Sequence, residues 1–363
     1  MTDPNLHVHH YNPAVDRARA AALAKQRIKR LVDAYAQGRP LFPRAVLEDV
    51  DRQLSAAPAV VTIEDFEGVR KEYKLDKSRV RPRKSQYPRG RVKVVWRPAY
   101  HSYEQLVHDA EARCGPPYPA PITLGLYVQD VPSYPLRQVA SEFEHHRGAW
   151  EASGASSTLI AALAAAPVAR RITKIVAFGL GSLSRLGCPD TTRAAVTQHC
   201  ALVAMAAALR DLHGRGVACY AQDPAYTDVD ADILARLGVG VVDDPRGFLA
   251  VDERTLVFAV SPDVPVKQIV VDGPWPAAMV WNTVLPEARQ MREWSPIEGP
   301  DGLLVTVSPF CTDPDSLRVR DMVQHYDEAP FHTGRLQWGR LSMYTRRRVS
   351  RSARMGGIKA SVE

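Results

Sequence analysis

The residues whose types and spacing could do chemistry are Gly179, Gly181, Ser182, Asp223 and Asn282. The first three sit in Ile172-Thr-Lys-Ile-Val-Ala-Phe-Gly-Leu-Gly-Ser-Leu-Ser184, where an apolar run ends abruptly in glycine. A long Ala-rich segment, Thr192–Leu209, follows. Strand, glycine turn and helix, in that order, open a nucleotide-binding α/β sheet. Gly179 can take the angles of a tight turn, and Gly181 lets backbone approach a ligand with no Cβ in the way. Free N–H groups at the start of the following helix favour an anion. The pattern is Gly-x-Gly-x-x-Ser, so the third glycine is missing, and such turns also occur in α/β proteins that bind nothing. A valine at 181 is expected to block a ligand at modest cost in stability, provided the turn keeps φ below zero there.

Asp223 ends the next apolar run and could accept hydrogen bonds from ribose hydroxyls. It lies about forty residues beyond Gly181, where ~20 is usual for a dinucleotide fingerprint; one helix and its loop account for the excess. Aspartate before proline also starts a turn or caps a helix with no ligand involved. Asn282 either orients a substrate or terminates a strand.

Other chemistries lack their residues. His7, His9 and His10 have no further ligand nearby in sequence and read as a polar tail. His145 and His146 are adjacent on a helix and point apart, so they read as surface charge beside Glu142 and Glu144. No metal site is expected. The five cysteines are widely spaced with no Cys-x-x-Cys, which gives neither a zinc knuckle nor a disulfide framework. There is no nucleophile elbow with its triad and no phosphate loop ending in Gly-Lys-Ser/Thr.

The elements that must position these residues are strands Ile175–Phe178, Val217–Ala221, Val239–Val242, Thr255–Val260 and Ala278–Trp281. Helices Thr192–Leu209 and Asp228–Leu237 join the first three. Repeated βα units call for a parallel sheet with right-handed crossovers. We expect an α/β fold, a Rossmann-like three-layer domain with strand order 3-2-1-4-5 and Ile175–Phe178 at its centre. Ligands bind such sheets outside the C-terminal strand ends, which is where all five candidates fall. Upstream, helices are expected over Ala14–Tyr35, Pro43–Leu54, His101–Arg113, Leu136–Trp150 and Ser157–Ala165, and strands over Val60–Ile63, Val92–Trp96 and Ile122–Val128. Downstream, Pro286–Trp294 reads as helix, and Leu303–Val307 and Arg335–Tyr344 as strands that extend the sheet or cover it. Four prolines in Cys114–Pro121 mark a boundary. The organisation is therefore an α+β N-terminal extension, helical and basic, over 1–121, the Rossmann-like domain over 122–310, and C-terminal strands with a disordered basic tail over 311–363.

The chain carries 363 residues and a net charge of +7, placed unevenly. Arg70–Arg97 holds twelve Lys/Arg against two acids, and Arg335–Glu363 eight against one. Such segments bind nucleic acid, acidic partners or anionic lipid, or are simply solvated arms. Arg70–Arg97 is expected to be largely exposed and to form no groove continuous with the glycine turn. No apolar run approaches the ~20 residues of a membrane span, and Met1–His10 has no apolar core of a secretory signal. A reducing cytoplasm or nucleus fits the cysteine usage.

Several motifs together resemble the Sensitivity to Red Light Reduced-like (SRR-like) domain family. Lys174-Ile-Val-Ala-Phe-Gly-Leu-Gly-Ser-Leu-Ser184 is similar to its opening motif, and Gln198-His-Cys-Ala-Leu202 follows at the expected place. Ala221-Gln-Asp-Pro-Ala-Tyr226, Leu256-Val-Phe-Ala-Val-Ser-Pro-Asp-Val-Pro265 and Met279-Val-Trp-Asn-Thr-Val284 resemble later motifs, and Phe143, Trp150 and Ser153 fit the preceding helix. The chain departs from the family where Pro262-Asp263-Val264-Pro265 replaces Pro-His-Cys-Pro and where Trp281 replaces the closing glycine. Any chemistry carried by that His and Cys is lost here. The resemblance implies a Rossmann-like domain in an intracellular regulatory protein, within a family linked to circadian and light responses, and no settled reaction. The Ala- and Arg-rich composition and the N-terminal extension suit a fungal member.

Three functions remain open. One is a regulatory protein, partnered through its basic arms, whose domain binds a nucleotide-like small molecule. The second is an enzyme using S-adenosylmethionine or NAD(P) at the Gly179–Gly181 turn. The third is sequence-indifferent nucleic-acid binding through Arg70–Arg97, which ranks last because no recognised module accompanies it.

Overall fold

The structure, a computed structural model, describes residues 13–75, 93–112, 120–129, 134–185, 189–287, 295–298, 304–307, 312–331 and 338–347. The His7–His10 tail, the Arg81–Lys84 stretch, nearly all of the helix read over Pro286–Trp294 and the tail from 348 lie outside the described residues.

Two helices, α1 (Pro13–Ala36) and α2 (Arg44–Ser55), lead into an antiparallel hairpin of β1 (Val60–Glu64) and β2 (Arg70–Lys74). Next come β3 (Lys93–Tyr100), α3 (Tyr103–Ala112) and β4 (Ile122–Gln129); β3 and β4 pair antiparallel as a two-stranded ribbon. The central domain runs α4 (Leu136–Glu151), α5 (Gly154–Ala165), β5 (Lys174–Phe178), α6 (Pro189–His213), β6 (Ala218–Gln222), α7 (Asp228–Arg236), β7 (Gly240–Val241), α8 (Arg246–Ala250), β8 (Thr255–Ala259), α9 (Val266–Val271) and β9 (Ala278–Asn282). A short pair, β10 (Ser295–Glu298) and β11 (Leu304–Val307), precedes α10 (Leu317–Val323), β12 (Tyr326–Phe331) and β13 (Leu341–Arg346).

The main sheet has seven strands in the order β12-β13-β9-β8-β5-β6-β7. The five strands from β9 to β7 run parallel, and β13 and β12 extend the sheet antiparallel beyond β9. No strand periodicity announces β12, because Tyr-Asp-Glu-Ala-Pro-Phe mixes acids and a proline. It is an edge strand, where Pro330 withholds no ladder bond that a second neighbour would need.

Period-two alternation along β5 sorts two cores. Ile175 and Ala177 join one with Phe143, Trp150, Leu159 and the α6 face. Val176 and Phe178 join the other with Tyr35, Phe42, Val50 and Phe248. All four β5 residues are essentially inaccessible, as a strand buried on both faces must be. Helices α4, α5 and α6 thus cover one face. The N-terminal helices, with α8 and α9, cover the other, so the N-terminal segment is a layer of the same body. No helix among the described residues is long and apolar enough to cross a membrane.

The start of α7 is built as sequence dictates. Thr227 caps it, and its third residue, Asp230, returns the bond to the Thr227 N–H. The end of α6 is set by Gly214 at φ +68°.

Candidate functional site

The C-terminal ends of β5 and β6 open into a cleft of about 660 Å³. Gly179, Gly181, Ser182 and Asp223 line its floor. The β3–β4 ribbon supplies the opposite wall through Arg97, Tyr100 and Tyr127. A second cleft of about 490 Å³ adjoins it and shares Arg97, Asp223 and Asp244. Aromatic packing seats the ribbon on the sheet: Tyr100 meets Phe248 edge-on at 5.5 Å, and Phe248 stacks on Phe178 at 4.4 Å.

Arg97 corrects the expectation that the basic segment stays apart from the glycine turn. Arg70 and Lys74 at its start are exposed, but Arg97 shares the cleft with Gly179 and Gly181. Pairing with β4 is what carries it there, since Arg97 lies opposite Gly125 in the ribbon.

The turn takes left-handed backbone angles that glycine adopts without steric cost. Gly179 has φ +66° and Gly181 φ +81°. The condition for a mild Gly181→Val substitution, φ below zero, therefore fails.

Three of the N–H groups that could cradle a phosphate, those of Gly181, Leu183 and Ser184, are already occupied. Gly181 N–H donates to Asp223 Oδ2 at 2.7 Å, and Ala225 N–H donates to Asp223 Oδ1 at 2.7 Å. Burial raises the Asp223 carboxyl, and these two N–H donors pull it back down. The next loop residues turn to Asp230, which is fully buried. Its Oδ1 accepts from Leu183 N–H at 2.8 Å and Ser184 N–H at 2.9 Å. Its Oδ2 accepts from Ser182 Oγ and Thr227 N–H, both at 2.7 Å. Ser184 Oγ and Thr227 Oγ1, 2.7 Å apart, close the network. Asp230 thus holds the place of an anion bound to the loop after a glycine turn. Asp223 ties that loop to β6, which is the turn-forming role an Asp-Pro pair suggests.

Asn282 lies elsewhere. It is not in the wall of the cleft, because β8 separates β9 from β5. Its Oδ1 accepts from Ser261 N–H at 2.7 Å and its Nδ2 donates to Trp338 O at 3.3 Å. Its work is to hold the ends of β8 and β9 to the 338–340 segment.

Three cleft residues were not among the candidates. Tyr100 donates its hydroxyl to Asp244 Oδ1 at 2.5 Å. Gln222, at the end of β6, accepts from Gly247 N–H at 2.7 Å and also bonds Asp244. Asp244 lies two residues beyond the expected strand Val239–Val242, and only the fold brings it to the cleft. Burial pushes the Asp244 carboxyl up to about 7, while Tyr100, Arg97 and Gln222 pull it down.

That shift fixes a pH dependence. Unfolded Asp244 ionises near 3.9, so between about pH 4 and 7 the folded state holds the extra proton. Stability from this group falls as pH rises through that window and stays flat above it. Asp244→Asn keeps the acceptor for Tyr100 and cannot ionise. Thermal or urea unfolding at several pH values should show the variant gaining on wild type from pH 4 to 7. Parallel stability curves would exclude this account.

Behind the cleft, His199 on α6 is wholly buried. Its Nδ1 is 2.7 Å from Ala195 O, which can only accept, so Nδ1 carries the proton. Nε2 then accepts from the Tyr226 hydroxyl at 2.8 Å. Burial lowers its pKa to about 4, so the ring is neutral at physiological pH. Burial also pushes the Cys200 and Cys219 thiols up to about 12, which leaves them unreactive. No His/Cys/Asp/Glu cluster among the described residues could hold a metal ion.

Residues 141–293 match the SRR1 domain. The match begins inside α4 and covers β5 to β9, so the matched segment supplies the floor of the cleft while the wall bearing Arg97 and Tyr100 lies outside it. No curated protein matches the chain. Among solved structures the chain is similar to an O-methyltransferase family protein from Burkholderia thailandensis, with 12% identity and a TM-score of 0.28 over 57% of this chain and 62% of that one. At that score the likeness carries no argument about reaction.

Proposed function

We propose that this chain is a regulatory protein whose SRR1 domain, Rossmann-like in its parallel strands, binds a nucleoside-type small molecule in the cleft beneath the β3–β4 ribbon. The observation that carries this reading is one shared cleft: Gly179, Gly181, Ser182 and Asp223 face Arg97, Tyr100 and Tyr127 across about 660 Å³. That volume suits a single small molecule. The two strands that leave β5 on opposite sides, β6 and β8, make its C-terminal edge a topological switch point, where such sheets bind ligands. The match to the SRR1 domain supports a regulatory role.

Side-chain commitments favour binding over catalysis. The Ser182 hydroxyl is committed to Asp230, and the His199 ring behind the cleft is closed between α6 and Tyr226. Between the two cofactor candidates, S-adenosylmethionine fits better than NAD(P), because Gly181, Leu183 and Ser184 N–H groups are not free for a pyrophosphate. Partner contacts through the basic stretches and a cytoplasmic or nuclear setting belong to the same proposal.

Calorimetric titration of wild type with adenosine, S-adenosylmethionine, its demethylated product and both oxidation states of NAD tests it. Ligands without a pyrophosphate should bind at least tenfold more tightly than NAD, a difference of about 1.4 kcal/mol. If none of them binds at millimolar concentration, the reading fails and the turn is structural. Turnover of S-adenosylmethionine would instead favour the enzyme.

A further inference from the structure

We propose that the anion-recognition group of this cleft is Arg97 on the ribbon, and that the glycine turn plays no part in holding negative charge. The ligand is then an anion or zwitterion whose phosphate or carboxylate lies under β3–β4, with its hydroxyl or cationic end toward Asp223 and Asp263. This rests on the cleft being a nucleoside site, as read above.

Elimination comes first. In related sheets the turn's N–H groups face an anion. Here Asp223 takes the Gly181 N–H, and Asp230 takes those of Leu183 and Ser184. Two carboxylates packed against the loop also oppose a phosphate there, and the loop's own cation, Arg185, which lines the same cleft, is itself already engaged. Asp263 adds a third at the mouth: it is exposed, lines the cleft and raises the Asp223 carboxyl further.

The opposite wall has the reverse character. Arg97 lines both adjoining clefts. Its guanidinium lies 5.7 Å from the centroid of the Tyr127 ring, which orients it without using its donors. The Arg97 side chain makes no hydrogen bond or ion pair with another described residue. Asp244, an acid on which Arg97 acts, has its carboxyl engaged by Tyr100 and Gln222 and is held largely un-ionised by burial below about pH 7. A partly buried guanidinium with an unused fork of donors, stacked on a ring in a cleft wall, is built to receive a planar or tetrahedral oxyanion.

The test pairs charged and uncharged probes on one scaffold. Adenosine reports the nucleoside reading alone, inorganic phosphate the anion site alone, and adenosine 5′-monophosphate both. Wild type should bind the monophosphate about tenfold or more tightly than adenosine, and phosphate should compete with the monophosphate. In Arg97→Gln the advantage of the monophosphate over adenosine should fall below about twofold; Arg97→Lys should retain part of it, since it keeps charge but loses the fork and the stack. Far-ultraviolet circular dichroism and the urea midpoint confirm folding, which Arg97→Gln should preserve because no hydrogen bond among the described residues is lost. A monophosphate advantage that survives in Arg97→Gln overturns the proposal and leaves the nucleoside reading standing. Phosphate binding that depends on Arg97, without adenosine binding, supports the anion site and sinks the nucleoside reading. Absence of binding by all three probes to wild type overturns both.

Discussion

Replacing Asp230 with alanine should cost about 4 kcal/mol or more of folding stability, because each buried polar group left unpaired costs ~1–3 kcal/mol. Asp230 is the sole common partner of the Ser182 hydroxyl and the Leu183, Ser184 and Thr227 N–H groups. Ser182, Leu183, Ser184 and Thr227 are all buried, with Ser182 and Thr227 reaching the cleft surfaces. Removing the carboxylate strands the Leu183 and Thr227 N–H groups, leaves the Ser184 N–H only its 3.2 Å contact with Ser182 Oγ, and takes away the return half of the α7 capping box. Asp230→Asn should fall between, since it retains one acceptor oxygen but points an NH₂ group at donors. Asp232, two residues on and exposed, provides the control: its alanine variant should stay within about 0.5 kcal/mol of wild type. Urea unfolding of the three variants measures this. A loss below about 1 kcal/mol in Asp230→Ala would mean that water or loop movement replaces the carboxylate, and that the turn's N–H groups are open to ligands after all.

The same network shows what sequence could and could not convey. The apolar run Ile175–Phe178 and the glycines after it announce a buried strand and a tight turn, and both are present. Thr227-x-x-Asp230 is a local capping signal, readable within four residues. Its second use is not local: the groups it binds at 182–184 lie 46 to 48 residues away. No spacing rule connects them. Asp223 was visible for its place at a strand end, yet whether it faces a ligand or its own backbone depends on where the Gly181 N–H points. Asn282 was drawn into the site by the argument that parallel strand ends share an edge. They do, but an edge several strands wide is broader than one small molecule, and β8 intervenes. Arg97 was missed for the converse reason. Inside a run of twelve basic residues it looks like one more solvated charge. Only the long-range pairing of β3 with β4 and the seating of Tyr100 on Phe248 turn it inward.

Gly181→Val should destabilise the protein by about 3 kcal/mol, through the left-handed backbone and overpacking together. The first part follows from φ +81°, which places Cβ against the following carbonyl at ~1–2 kcal/mol and is worse for a β-branched residue. The second follows from α6: a Cβ at 181 would lie 3.2 Å from Ala195 Cβ, before the two valine methyls are added. Those methyls must push on a buried helix face, at ~1–3 kcal/mol. Gly181→Ala should show the backbone part alone. Gly179→Ala tests the neighbouring contact more severely than its size suggests, because its Cβ would sit 2.9 Å from Pro262 Cβ with φ at +66°. Pro262 is buried in the loop that carries Asp263, so that loop must move. Urea midpoints for the three variants should therefore order as wild type, Gly181→Ala, then Gly181→Val and Gly179→Ala together at the bottom. Ligand titration of Gly181→Val well below its midpoint then separates the two effects: if Asp223 still receives the 181 N–H, binding through Arg97 survives in the fraction that is folded. A Gly181→Val midpoint equal to that of wild type would show that the turn re-forms with φ below zero. The N–H of residue 181 would then leave Asp223 and turn toward the cleft, and the glycine turn would regain its claim on an anionic ligand.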